Sequence, residues 1–253
     1  MKALCNTSLA AALVIAAAGV SNAADGVITG KVMFKGTAPG EKSIDMAADA
    51  NCKALHAAAP TTRHYVVNAD GTLANVFVYV KSGPGVDGKK FDPPKEKVTL
   101  DQKGCLYQPY LMGIQVNQDL EVLNSDATLH NVHATPSINA EFNKGQPVQG
   151  MKFTHKFDKV ETVPPVRFKC DVHPWMFAYV AVVPHPYFAV TREDGSYKIS
   201  GVPAGDYVVE AFHLKAGGGG ATAVGDNKGF VQSQKVTVGA GEAKADFTFE
   251  PPK

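Results

Sequence analysis

Residues 168 to 176 read Phe168-Lys169-Cys170-Asp171-Val172-His173-Pro174-Trp175-Met176, which places a thiol, an imidazole and a thioether in one short loop. Three metal-capable side chains of graded softness suit a soft transition metal. Two His, one Cys and a weak, long axial Met form the donor set that electron-transfer copper sites use, and this loop supplies one His, the Cys and the Met. A second imidazole is available upstream in Leu129-His130-Asn131-Val132-His133, which follows the apolar run Leu120-Glu121-Val122-Leu123 and the polar turn Asn124-Ser125-Asp126. Two distant segments can therefore close one site. The plainer alternative is a buried free Cys beside surface His and core Met.

On these residues the segment from 96 to 184 resembles a cupredoxin. The Cys-x2-His-x2-Met spacing is that of the short loop of amicyanin-like members, His-Asn-Val stands upstream, and an apolar run, Ala178 to Val183, follows the Met directly. The resemblance implies a Greek-key β-sandwich with copper as cofactor in one type 1 site. His130, Cys170 and His173 take the positions of the strong ligands and Met176 that of the axial one. Asn131 takes the position of a residue that ties the two ligand loops together by hydrogen bonds. His173 is expected to show its ring edge at the surface and pass the electron, with Pro174, Trp175 and Met112 as an apolar docking ring for redox partner proteins. Trp175 in the core, and Tyr110-Leu111-Met112 as an interior strand, are the alternatives. His130 is preferred to His133 through the His-Asn-Val pattern alone. Residues three apart on a strand point to opposite faces, so these two do not easily share an ion. His155, His185 and His213 show no ligand spacing that would suggest a second site.

The positions that carry this chemistry need a scaffold, and the chain begins with a segment that is not part of one. Met1 to Ala23 has Lys2, an apolar stretch from Leu9 to Val20, and small residues at Ser21 and Ala23. It reads as a secretory signal peptide over 1–23, since the apolar run falls short of the roughly 20 residues a membrane span requires. The mature chain is expected to be periplasmic or secreted, with no membrane span. Without Lys2 it has 24 basic and 24 acidic residues, a balance that gives no bias toward nucleic acid or an anionic membrane.

Cys52, Cys105 and Cys170 remain after processing, and exported proteins normally pair their thiols. If Cys170 is held as a metal thiolate, as the cupredoxin resemblance implies, Cys52 and Cys105 are free to form a disulfide. Three buried thiols are the alternative.

Most of the chain reads as strand. Gly26 to Gly36 alternates, Leu73 to Val80 is a second apolar run, and Ser82 to Pro94 is a Gly- and Pro-rich connector. Residues 37 to 64 carry no β pattern and allow a short helix near Asp49 to His56. Arg192-Glu193-Asp194-Gly195-Ser196 is a hairpin signal, Gly201 to Tyr207 holds another tight turn, and Gln232 to Val238 with Ala245 to Phe249 suggests a last strand pair about the turn Gly239-Ala240-Gly241. The run Ala216 to Gly229 is expected to be a mobile loop. Asp194-Gly195-Ser196-Tyr197 and Val202-Pro203-Ala204-Gly205-Asp206-Tyr207 resemble the carboxypeptidase regulatory-like, transthyretin-like β-sandwich, whose opening strands match the types at Gly26 to Val32 and Ala74 to Val80. The fold expected is therefore all-β. A cupredoxin over 84–184 is inserted in, or joined to, a second sandwich made of 24–83 and 185–253. Independent pieces in a row are the simpler arrangement.

The function expected is single-electron carriage by a blue copper protein, not an enzyme. The alternative is copper binding or delivery in the periplasm. An oxidase or nitrite reductase is disfavoured because the chain has no His-x-His pair and no His-Cys-His segment.

Overall fold

The computed structural model describes residues 25–216, 222–223 and 229–251; the expected signal peptide and most of the Gly-rich run lie outside them. Within these residues the chain is all-β apart from one short helix, Ala50–Ala54. No helix among the described residues is long and apolar enough to cross a membrane.

Four sheets pack as two sandwiches. In the first, the central strand Gly26–Phe34 pairs antiparallel with Ser196–Val202 and parallel with Glu242–Lys244 and Phe247–Phe249. The facing sheet runs in the order Phe188–Val190, Phe77–Ser82, Gly205–His213, Phe230–Val238, Thr222–Ala223. Both strands from the early part of the chain thus find their sheet partners only after residue 187. Ile28, Val32, Val76 and Val78 meet Tyr197, Ile199, Tyr207 and Val209 in one buried cluster.

The turns of this sandwich correct the hairpin expectation. The Asp194-Gly195 turn forms, with Gly195 at φ +70° and Arg192 N–H donating to the Ser196 carbonyl at 2.9 Å. Its flanking strands nevertheless lie in opposite sheets. Thr191 is the cause: its N–H donates to the Val76 carbonyl, and its hydroxyl accepts from Val76 N–H and donates to the Leu73 carbonyl. The chain before the turn is thereby held to the far layer. The connections at Pro203-Ala204 and at Gly239-Ala240-Gly241 likewise cross between the layers, so the last two strand runs do not pair with each other.

The second sandwich has one sheet in the order Leu111–Gln115, Phe177–Val183, Glu161–Lys169, His130–Thr135, Phe142–Gln146, and another in the order Tyr107–Gln108, Val98–Gln102, Leu120–Asn124, Lys152–His155. Its core includes Leu100, Leu120, Val122, Val132, Phe168, Val180 and Val182. Apolar runs buried on both faces join the two sandwiches. Val78 and Val80 fill the first core, whereas Phe77 and Tyr79, pointing the other way along the same strand, pack with Leu111, Ala181 and Val183. Gly113 permits this approach, since a Cβ there would lie 2.5 Å from the Phe188 ring and 2.7 Å from that of Phe77.

The segment between the first two strands does not stay with its own sandwich. Ile44, Met46 and Cys52 are buried in the core of the second. A bridge between Ser43 and Thr61 closes the base of the excursion, Arg63 donates to the Tyr107 carbonyl at 3.0 Å, and the Cys52–Cys105 disulfide, with Cα atoms 5.5 Å apart, fastens its tip.

Candidate metal centre

The register of the second sandwich brings the distant donors together. Lys169 pairs with His133 on one side and with Phe177 on the other. Cys170 and Met176 therefore stand at the two feet of the connection between adjacent antiparallel strands. His130, three residues before His133 on the same strand and paired with Gln146 on its other side, lies beyond the last residue pair with Glu161–Lys169 and so beside that connection. Cys170 N–H donates to the Met176 carbonyl at 3.1 Å, and Met176 N–H to that of His173 at 2.9 Å, which folds the loop tightly.

His130, Cys170 and His173 offer ligand atoms that all lie within 4.8 Å of one another, and all three residues are buried. The two imidazoles face each other through Nδ1, 3.0 Å apart, and the Cys170 sulfur is 3.7 Å from His173 Nδ1. Met176, in the same loop, is wholly buried. Metal–nitrogen bonds of about 2.0 Å and metal–sulfur bonds of about 2.3 Å span ligand atoms at such separations, so these residues fit a soft metal ion. The outward edges of both rings are already taken. His130 Nε2 donates to Asp126 Oδ2 at 3.0 Å, and His173 Nε2 to Asp49 Oδ2 at 3.0 Å. A ring whose Nε2–H is donated outward leaves Nδ1 with its lone pair facing inward, as a metal ligand requires.

Without a metal ion the two inward Nδ1 atoms, 3.0 Å apart, share a proton, which a bound metal would displace. Burial pushes the Cys170 thiol up, but the His130 side chain and the backbone N–H groups of Asn131, His173 and Val172 outweigh it and bring the thiol down to about 7. Burial also pushes the His130 imidazole down, against the stronger upward pull of Asp126 and Cys170, and it rests at about 8. The hydrogen bond from His173, followed by that from Cys52 N–H, holds the Asp49 carboxyl below its ordinary range. A thiol that ionises near neutrality is a ready soft ligand.

Asn131 lies opposite Asp171 and accepts from its N–H at 2.5 Å, linking the two ligand segments. Tyr107 strengthens the link by donating to the carbonyls of Asn131 at 2.6 Å and Lys169 at 3.1 Å. His133 points away from the cluster, its two ring nitrogens 2.8 Å from Asp171 and 2.7 Å from Glu141.

The expected docking ring requires correction. The His173 edge does not reach the surface: the residue is 2% exposed, because Asp49 and Cys52 cover Nε2 and the Trp175 ring lies against the imidazole with centroids 5.1 Å apart. Met112 is buried in the core. Trp175 is half-buried and donates from Nε1 to the Cys105 carbonyl at 3.1 Å, leaving Pro174 as the exposed member. Sequence reasoning missed Asp49 and Asp126. A signal existed for each: Asp126 stands four residues before His130, and Asp49 is a helix-capping residue type at the start of the short helix.

No family model matches the sequence, and no curated protein matches it. Among solved structures the chain is similar to the purple cupredoxin from Nitrosopumilus maritimus, at 21% identity over 34% of this chain and 97% of that one, with a TM-score of 0.29. It is similar to a Cu(I) mutant of amicyanin at 16% identity over 42% and 97% of the two chains, with a TM-score of 0.30. Similarity to the Cu-containing nitrite reductase from Thermus scotoductus SA-01 reaches 20% identity over 41% of this chain and 27% of that one, with a TM-score of 0.30.

Proposed function

We propose that the chain is an exported single-electron carrier with one type 1 copper site held by His130, Cys170, His173 and axial Met176. One observation carries this reading: two imidazole Nδ1 atoms and a thiol converge in a buried pocket, while the opposite nitrogens of both rings are bound to carboxylates. A copper ion bound there supplies one-electron transfer, because such a donor set suits both of its charge states. The residues' part is to hold that set rigid. Asp126 and Asp49 orient the rings, Asn131 and Tyr107 bind the two ligand segments to each other, and the surrounding core keeps water out. Three strong donors with an axial thioether leave no open position for a substrate, which favours a carrier over an enzyme. Burial of all four donors opposes easy metal exchange and so argues against a delivery role.

We further infer two domains, 84–184 around the copper site and 24–83 with 185–253 as a carboxypeptidase regulatory-like host, from the strand pairings across the chain. The disulfide favours a periplasmic or secreted location and redox protein partners met outside the cytoplasm.

The test is the visible spectrum of the protein with Cu(II). An intense visible thiolate-to-copper band is expected and should vanish in Cys170→Ser while the fold persists. If Cu(II) gives no such band, or Cys170→Ser keeps it, the assignment fails.

A further inference from the structure

Asp49 stands at an unusual crossing of roles. It belongs to the excursion from the first sandwich, yet its carboxylate touches a proposed ligand of the second. Its two oxygens divide the work. Oδ1 caps the helix Ala50–Ala54, accepting from Asn51 N–H at 2.8 Å and Cys52 N–H at 3.1 Å. Oδ2 accepts from His173 Nε2 at 3.0 Å, with the Thr128 hydroxyl 3.5 Å away. The next residue but two, Cys52, is bonded to Cys105, and Cys105 N–H donates to Asp126, the carboxylate that holds His130. A single disulfide therefore anchors the backbone on which both ring-orienting carboxylates depend.

We propose that Asp49 is a positioning residue of the metal centre: its Oδ2 fixes the His173 ring as the Nε2–H tautomer with Nδ1 aimed at Cys170 and His130. The site is then assembled from both sandwiches. This inference rests on the copper reading above. The physical reason is that His173 sits in a short loop and, among the described residues, has no other acceptor for Nε2–H than Asp49 and the disulfide sulfur of Cys52. A sulfur at 3.5 Å is a poor acceptor beside a carboxylate at 3.0 Å, so Asp49 decides the ring's orientation. Partners in this outer position are worth about 10- to 100-fold in metal affinity.

Asp49→Ser separates this role from helix capping. Serine caps as well as aspartate, but its single short-reaching oxygen cannot both cap and meet His173. Two measurements are made on wild type and variant. The first, on metal-free protein, is the tautomeric state of the His173 ring from its nitrogen chemical shifts. The second is Cu(II) affinity by competition with a chelator. Expected are a single Nε2–H tautomer in wild type, a mixture in Asp49→Ser, an affinity loss of about 10- to 100-fold, and an unchanged far-ultraviolet circular dichroism spectrum. Equal affinity and an unchanged tautomer in the variant would overturn the inference and leave the copper reading standing. A wild type that binds no Cu(II) through Cys170 removes the copper reading itself, and the tautomer measurement then still decides whether Asp49 orients the ring.

Discussion

His130 and His133 lie three positions apart on one strand, and their surroundings divide them completely. His130 is buried among donors, while His133 is partly exposed between Asp171 and Glu141 on the other face. His130→Ala is therefore expected to abolish the thiolate-to-copper band and His133→Ala to leave it nearly intact, read from absorption at equal copper loading. The reverse pattern would reassign the ligand. A third histidine governs stability. His213 is buried in the first sandwich, where its Nδ1 accepts from Ala216 N–H at 2.7 Å and Lys215 N–H at 3.1 Å. Desolvation pushes its pKa down to about 3. Unfolded, the same side chain titrates near 6.5, so between those values the unfolded chain binds more protons. The stability that His213 contributes is full above about pH 6.5 and falls as pH drops toward 3, by up to about 1.4 kcal/mol per pH unit. Urea unfolding at pH 7 and pH 5 should show a drop that is smaller by about 2 kcal/mol in His213→Gln; an equal drop would mean that other groups carry the acid sensitivity.

At the level of elements, the two sandwiches meet through strands buried on both faces, and Gly113 in Leu111–Gln115 lies directly against the Phe188 and Phe77 rings of the other sandwich. Propensity alone makes Ala the better strand residue by roughly 0.5–1 kcal/mol. Packing says the opposite, because the added methyl would press into the rings of Phe188 and Phe77. Overpacking typically costs about 1–3 kcal/mol, so Gly113→Ala should destabilise the protein in chemical denaturation. A neutral or stabilising effect would show that the interface gives way easily. The excursion through Ala50–Ala54 is the second decisive element. Five residues are too few to form a stable helix in isolation, and this one persists through the Asp49 cap, the buried Cys52 and its bond to Cys105.

At the scale of the whole molecule, the pairing of Gly26–Phe34 with Ser196–Val202, and of Phe77–Ser82 with Gly205–His213, makes the first sandwich depend on both ends of the chain. A fragment of residues 185–253 lacks the central strand of one sheet and a middle strand of the other, leaving edges unpaired. It is expected to be disordered or aggregated. Dispersed amide signals and a cooperative melt from that fragment would show that the late strands suffice for a fold. The excursion from 41 to 64 adds a further tie, so that the end of the second sandwich that carries His130, Cys170 and His173 is closed by residues from outside it.

Much of the candidate site was legible in the sequence because its loop is local: Cys170, His173 and Met176 fall within seven positions, and their side chains are of the types that soft ions take as ligands. The all-β character was legible too, since a period of two shows in runs such as Ile28 to Phe34. Tertiary structure alone decided the rest. Which of two imidazoles turns inward depends on the register between Lys169 and His133, a long-range pairing with no local signature. That His173 is covered depends on Asp49, which is 124 residues away along the chain. The turns at Asp194-Gly195 and Gly239-Ala240-Gly241 carried ordinary hairpin chemistry, yet they cross between layers because hydrogen bonds of Thr191 and the partners of Gly26–Phe34 outweigh the turn's own preference. Local residue types fix what a segment can do, whereas the packing of remote strands fixes what it faces.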